Sequence, residues 1–292
     1  MSDRKKIVLV TGASSGIGHA TAIEFAQKGF KVYAGARRLE PMEDLKQYGV
    51  IPIQLDVTSN ESVLKLKEII KHDNGGYLDV LYNNAGQSCT VPALDIPDDW
   101  AQRCYEVNVF APMRLVRELG PYVINAQGCI GFTGSVSGVV PFPLSSVYSS
   151  SKAAIHAYAA GLRIEMKPFN VKILNFVTGG VKTHIADTRS IPKGSIYDIP
   201  EMELPLKNRQ EMAKKNNPIS AEAYAKQVVN DFINAKSVDG SLNYYRGAKS
   251  YLLGWLLFWC PRFIVEKILI SKFKLVPVYD FFQHKYSKEK ME

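Results

Sequence analysis

The sequence predicts an α/β protein, a single doubly wound parallel sheet with a helical extension at its C-terminus. Three observations carry that prediction. Short apolar, β-branched runs alternate with helical patterns through about residue 235. The first run leads at once into a glycine-rich loop and an amphipathic stretch. After residue 248 the alternation gives way to an apolar, aromatic segment with lysines interspersed. Strands alternating with helices build a parallel sheet, and such sheets bind ligands at the carboxyl ends of their strands.

The elements follow in order. Residues 5–11 (KKIVLVT) read as a buried strand. Gly12-Ala13-Ser14-Ser15-Gly16-Ile17-Gly18 is a loop, and a helix runs from about Ile17 to Lys28. Further strands fall near 31–35, 50–54, 78–82, 128–133 and 170–177, with Tyr244-Tyr245 in a last one. Residues 183–219 break the rhythm and are rich in Pro, Lys and Asn. They suit a mobile lid over a substrate, or a plain surface insertion. The division expected is a domain at 1–248, its lid at 183–219, and a tail at 249–292.

Composition narrows the function. The 292 residues are 46% apolar and 22% charged, as in ordinary soluble proteins. Cys89, Cys104, Cys129 and Cys260 show no C-x-x-C spacing and no histidine pairs, so neither a metal site nor a disulfide framework is expected. Ser2-Asp3-Arg4-Lys5-Lys6 leads straight into the first strand, without the pattern of a signal peptide. The net charge of +8 sits at Lys5-Lys6, Arg37-Arg38, Lys214-Lys215 and beyond Arg246. No compact basic stripe is interleaved with aromatics, which argues against nucleic acid and for phosphates or membrane surfaces.

Two motifs carry chemistry. Glycines between a strand and a helix allow close backbone approach to a pyrophosphate, which the helix N-terminus then faces with free N–H groups. Tyr148 and Lys152 stand four apart in YSSSK, on one face of a helix. An ammonium about 5 Å from a phenol favours the phenolate by roughly 3 kcal/mol, or about two pKa units. That would make Tyr148 a general acid near neutral pH.

Thr11-Gly12-x-x-x-Gly16-x-Gly18, Asn83-Asn84-Ala85-Gly86, Asn108, Ser135, Tyr148 and Lys152 together resemble the short-chain dehydrogenase/reductase family over about residues 5–235. The resemblance implies a Rossmann-type NADP-binding domain. It also implies roles: Tyr148 donates a proton to a carbonyl oxygen, Ser135 polarises that oxygen, Lys152 holds the nicotinamide ribose, and Asn108 holds a relay water. Ser14, Ser15 and Ile17 would line the pyrophosphate loop. Asn84, Ala85 and Gly86 would pack by the adenine ribose. Asp56 would contact the adenine or merely cap the next helix. Val181 and Thr183 would reach the carboxamide. A homo-oligomer paired through helices near 108–117 and 149–167 is also implied.

Charge selects the cofactor. The second strand ends in Arg37-Arg38 and lacks the acid that would bind a ribose 2′-hydroxyl. Arginine pairs bidentately with phosphate, so NADPH is expected, with Arg37 as first choice and Arg38 second. One departure stands out. Thr178-Gly179-Gly180 lacks the family's usual proline before the glycine, and a looser turn is expected.

Gly12-Ala13-Ser14-Ser15-Gly16 also fits the Gly-x-Ser-x-Gly elbow of lipases, which would make Ser14 a nucleophile. Its histidine would come from His19, His72, His156, His184 or His284, none of which has a supporting motif. The tail (YLLGWLLFWC at 251–260, then Pro261-Arg262) is too interrupted to cross a bilayer. It suits helices lying in a membrane interface with Trp255, Trp259 and Phe263 buried, or a cap on the pocket or an oligomer contact. YNNAGQSCTVPALD at 82–95 and the segment 165–187 look like a fungal branch of the family. That likeness implies reduction of an acyl ketone phosphate, 1-acyldihydroxyacetone phosphate, to 1-acylglycerol 3-phosphate, a step feeding phosphatidate synthesis. Another lipid carbonyl, of hydroxysteroid or retinoid type, is the runner-up. Lys182, Lys193, Lys214 and Lys215 are candidates to meet the phosphate. The expected setting is the cytoplasmic face of the endoplasmic reticulum and lipid droplets, or the mitochondrial outer membrane.

Overall fold

The computed structural model describes residues 4–288 apart from 184 and 186. The chain runs β1 (Ile7–Thr11), α1 (Gly16–Gln27), β2 (Lys31–Ala36), β3 (Ile51–Gln54), α2 (Asn60–Asn74) and β4 (Val80–Asn83). It continues through α3 (Asp98–Tyr105), α4 (Ala111–Ala126), β5 (Cys129–Thr133), α5 (Ser146–Met166) and β6 (Lys172–Thr178). Then come α6 (Glu203–Gln210), α7 (Met212–Lys215), α8 (Ala221–Asn234), β7 (Asn243–Arg246), α9 (Ser250–Trp259), α10 (Arg262–Lys272) and α11 (Val276–Lys288).

The seven strands form one sheet in the order β3-β2-β1-β4-β5-β6-β7, every neighbouring pair parallel. Strands covered on both faces read as continuous apolar runs, and β1 (IVLVT) is buried throughout. Alternate β1 residues feed opposite cores. Val8 and Val10 join Phe25 of α1 and Phe232 of α8, while Ile7 and Leu9 join Leu66 of α2, Leu115 of α4 and Ile155 of α5. Each large side chain buried this way contributes roughly 1.5–3 kcal/mol.

The strand order reverses between β1 and its two neighbours, β2 and β4. A crevice opens at such a switch point, above the strand carboxyl ends. The glycine loop after β1 and Asn84-Ala85-Gly86 after β4 both lie there.

A third apolar cluster sits outside the sheet. Val265 and Leu269 of α10, with Phe273, Leu275 and Val278, are buried against Val136, Val140, Phe142 and Val177. Met202, from the 183–219 segment, joins them. The tail is therefore three short helices with one side packed on the domain. No helix among the described residues is long and apolar enough to cross a membrane.

Candidate active site

A cavity of about 480 Å³ occupies the switch point and runs toward the tail. At one end, the glycine loop is pressed against the segment after β4. Gly12 has φ +67°, and a Cβ there would lie 2.8 Å from the Ala85 Cα. Thr11 knits the two loops together: its Oγ1 accepts the backbone N–H groups of Asn84 and Ala85, each at 3.0 Å. The Asn84 side chain donates to the Thr11 carbonyl at 2.8 Å. Ser15 stands at the N-cap of α1 but makes no side-chain bond to it, so the first N–H groups of that helix face the cavity uncapped. The donor set and the close-packed glycines fit a pyrophosphate. Ser14, Gly16, Ile17 and Gly18 line the same end. Arg37 lines the cavity too, and the adjacent Arg38 is exposed. Asp56 reaches it while its Oδ1 accepts the Thr58 N–H at 2.9 Å, so the cavity-lining and capping readings both describe it.

Tyr148 and Lys152 rise from the first turns of α5, as their spacing predicts, and both line the cavity with Ser135. Ser135 sits just beyond β5, its Oγ accepting the Ser137 N–H at 3.1 Å. Lys152 is buried, and its Nζ donates to the Thr133 carbonyl at 2.8 Å. Asn108 lies in a π-helical turn, Glu106–Phe110, between α3 and α4. Such turns recur at functional sites. Its carboxamide is fully engaged, accepting the Gln87 N–H at 2.8 Å and donating to the Gln87 carbonyl at 2.9 Å and to Ser151 Oγ at 3.0 Å. A methyl group at Gly86 would lie 3.5 Å from Asn108 Oδ1 and 3.6 Å from Lys152 Nζ, so both side chains flank one point of backbone.

Residues 6–193 match the short chain dehydrogenase family. The chain belongs to that family. It is 48% identical over 94% of its length to the NADPH-dependent 1-acyldihydroxyacetone phosphate reductase of Saccharomyces cerevisiae, covering 93% of that protein. A protein of the same description from Schizosaccharomyces pombe is 37% identical over 73% of this chain and 74% of its own. Among solved structures, a short-chain dehydrogenase from Streptomyces avermitilis aligns with a TM-score of 0.73 and 26% identity, covering 99% of each chain. One from Burkholderia cenocepacia, in complex with NADP, has a TM-score of 0.72 at 24% identity over 92% of this chain and 99% of that one. At that identity the likeness is one of fold.

In this short-chain dehydrogenase the tyrosine is held in a buried wall of the cavity. Burial raises the Tyr148 phenol above its ordinary value, opposed by a hydrogen bond from Ser135 and by the charge of Arg209. The Lys152 ammonium stands 5.9 Å from the Tyr148 ring centroid and is directed at the end of β5. Burial also drops Lys152 itself to about 8. One of the three Lys152 N–H donors is engaged by that strand carbonyl, and the other two are left for a ligand in the cavity.

The Thr178-Gly179-Gly180 turn is not loose either. Gly179 N–H donates to the Arg246 carbonyl at 2.8 Å, and Gly180 and Ala248 exchange backbone bonds at 3.0 Å. A Cβ on Gly179 would lie 2.2 Å from the Ala248 carbonyl oxygen. A proline would lack that donor and fill that space. The departure from the family pattern thus lets the β7–α9 connection lie directly over the turn. Val181, buried beyond it, bridges to Ile219, and Thr183 lies against Gly16.

Among the described residues the hydrolase elbow finds no base. Ser14 lines the dinucleotide end, while His19 pairs with Asp44 and His72 with Asp73. His156 accepts the Ser135 backbone N–H, and His284 sits in α11 of the tail. His184 lies outside the described residues. Among the described residues no imidazole is hydrogen-bonded to Ser14.

Of the phosphate candidates, Lys214 lines the cavity, Lys215 pairs with Glu211 at 2.7 Å, and Lys182 and Lys193 are exposed. Three residues absent from the sequence expectations also line it: Arg209, Lys249 and Lys272. His156 was legible in principle, since it lies four residues beyond Lys152 on the same helical face. Arg209 had no local signal, because nothing in an irregular segment announces which charge folds inward.

Proposed function

We propose that the protein reduces the ketone of 1-acyldihydroxyacetone phosphate to 1-acylglycerol 3-phosphate with NADPH. The carrying observation is a single cavity with a glycine-lined anion cradle at one end, Ser135, Tyr148 and Lys152 in its wall, and tail residues closing the other end. The near-full-length likeness to the S. cerevisiae reductase supports the substrate.

NADPH, when bound, would supply a hydride to the carbonyl carbon. Arg37 would pair with its 2′-phosphate, and the uncapped start of α1 would meet its pyrophosphate. Ser135 Oγ donates a hydrogen bond to the carbonyl oxygen, where negative charge develops. Tyr148 Oη delivers the proton to that oxygen, completing the alcohol. Lys152 would hold the ribose hydroxyls, Asn108 braces the Gln87 backbone beside it, and solvent returns the proton to Tyr148. Arg209 is the positive charge that eases loss of the phenolic proton.

The 183–219 segment and the tail form the substrate side. Leu253 of α9 lines the cavity, while Tyr251, Leu252, Trp255, Trp259 and Phe263 on α9 and α10 are more than half exposed. An apolar aromatic face with lysines around it suits a membrane or lipid-droplet surface facing the cytoplasm, where the acyl chain would reside. Phe110 and Ile164 project from the helices through which the family pairs, at 50% and 71% exposure, and suit a homo-oligomer.

The test is NADPH oxidation by purified protein with 1-acyldihydroxyacetone phosphate in detergent, beside NADH and beside Tyr148→Phe. Turnover with NADPH, lost in the variant, is expected. Reduction of phosphate-free lipid ketones alone would keep the chemistry and overturn the substrate.

A further inference from the structure

We propose that Arg209, with Lys249 and Lys272 at the rim, forms a built anion subsite that holds the phosphate monoester of the lipid substrate. The proposal deepens the reading above and rests on it.

Arg209 is the deep member. It belongs to α6, is 7% exposed, and lines the cavity with Tyr148. A buried guanidinium ordinarily has a carboxylate, because an unpaired buried charge is strongly destabilising. Here none of the described carboxylates forms an ion pair with it, and its Nε has no hydrogen-bond partner. The Phe142 ring lies 5.6 Å from the guanidinium carbon, and the Tyr148 phenol is near enough to feel its charge. The two acids that line the cavity are engaged elsewhere: Asp56 by Thr58, and Asp187 by Arg189 and the Thr90 N–H. Burial pulls Arg209 down to about 10, so it stays charged at neutral pH. A charge kept in place at such a penalty, next to the reacting end, calls for a counterion that arrives with the substrate.

The rim supplies the rest. Lys249 holds φ +60°, a left-handed conformation that lysine adopts at a penalty of order 1 kcal/mol. It is fixed there by the Gly180–Ala248 bonds that the missing proline permits. Lys272, at the end of α10, is pushed down by burial and then by the Lys249 charge. Both lysines are exposed at the cavity mouth, where the Lys249 ammonium donates to Asn216 Oδ1 at 3.4 Å, and two like charges lining one cavity favour an anion beside them. A phosphate monoester brings close to two negative charges and three acceptor oxygens, matching a guanidinium fork plus two ammoniums. This subsite is separate from Arg37. Arg37 follows β2, on one flank of β1, whereas Gly179 and Lys249 follow β6 and β7 on the other.

The experiment is calorimetric binding of glycerol 3-phosphate, 1-acylglycerol 3-phosphate and phosphate-free 1-acylglycerol to the full chain. Wild type is compared with Arg209→Met and with the Lys249→Met/Lys272→Met pair, and each is melted as a folding control. Methionine keeps the packing of the arginine stem. We expect each variant to lose at least tenfold in affinity for both phosphorylated ligands and to bind 1-acylglycerol as wild type does. Arg209→Met should melt no lower than wild type, since it removes an unpaired buried charge. Variants that keep wild-type affinity for the phosphorylated ligands overturn the subsite, as does a wild type that fails to bind glycerol 3-phosphate. Failure of wild type to reduce the acyl ketone phosphate would sink the substrate reading alone, because the binding arm reads the subsite without turnover.

Discussion

His156 Nε2 accepts the backbone N–H of Ser135 at 3.1 Å. The bond ties α5 to the segment that follows β5, so Ser135 and Tyr148 are set by one helix. Burial, and then the Lys152 charge, pull His156 down to about 4, which keeps its ring neutral and its Nε2 free to accept.

Burial of this imidazole should make the fold acid-sensitive. The folded state disfavours imidazolium, so the unfolded chain binds more protons between the ordinary histidine value and about 4. The contribution is fully present above that window and is lost as pH falls through it, by roughly 3 kcal/mol at most. Urea unfolding at neutral pH and near pH 4.5 should show a smaller acid loss for His156→Gln than for wild type. Equal losses would mean that His156 does not titrate between folded and unfolded states as argued.

Arg37→Ala should separate the two dinucleotides. A charge-assisted pair contributes about 1.5–3 kcal/mol, so KM for NADPH should rise roughly tenfold to a hundredfold. The NADH value should stay put. A matched change in both would point to a damaged loop instead.

Gly179→Pro tests the laced turn. It removes the donor to Arg246 and puts a ring against the Ala248 carbonyl. A loss of roughly 2–4 kcal/mol is expected in denaturant titration. Unchanged stability would mean that the connection after β7 moves aside freely.

The exposed aromatic face can be read by flotation with phosphatidylcholine and phosphatidylserine vesicles. Trp255→Ser combined with Phe263→Ser removes two apolar anchors, each contributing about 1.5–3 kcal/mol when buried. Vesicle-bound protein should fall at least tenfold, with turnover on a detergent-dispersed substrate retained. Undiminished flotation would assign that face to another contact.

Much of this was legible in the sequence because it is local. A continuous apolar run, a glycine loop and a Tyr-x-x-x-Lys pair depend on neighbours within a few residues, and they fall where expected: β1, α1 and the start of α5. Lys31–Ala36 and Lys172–Thr178 likewise matched their apolar runs. What the spacing could not show was direction. Lys152 shares a face with Tyr148, yet its ammonium turns to Thr133 because a strand end happens to lie there. Arg209 and Lys249 meet the cavity only through contacts far apart in sequence. The proline missing at Gly179 looked like a weakness until its partner, about seventy residues later in the chain, was in view.

Leu253 and Trp255 are two residues apart on α9, one facing the reaction cavity and the other 55% exposed to the outside. A wall one helix thick is all that divides them. With that helix seated at a lipid surface, a substrate could present its head to the chemistry while its hydrocarbon never leaves the apolar phase. Encounter would then be two-dimensional: velocity would follow the mole fraction of ketone in the surface, and diluting the bulk at fixed surface composition would leave it unchanged.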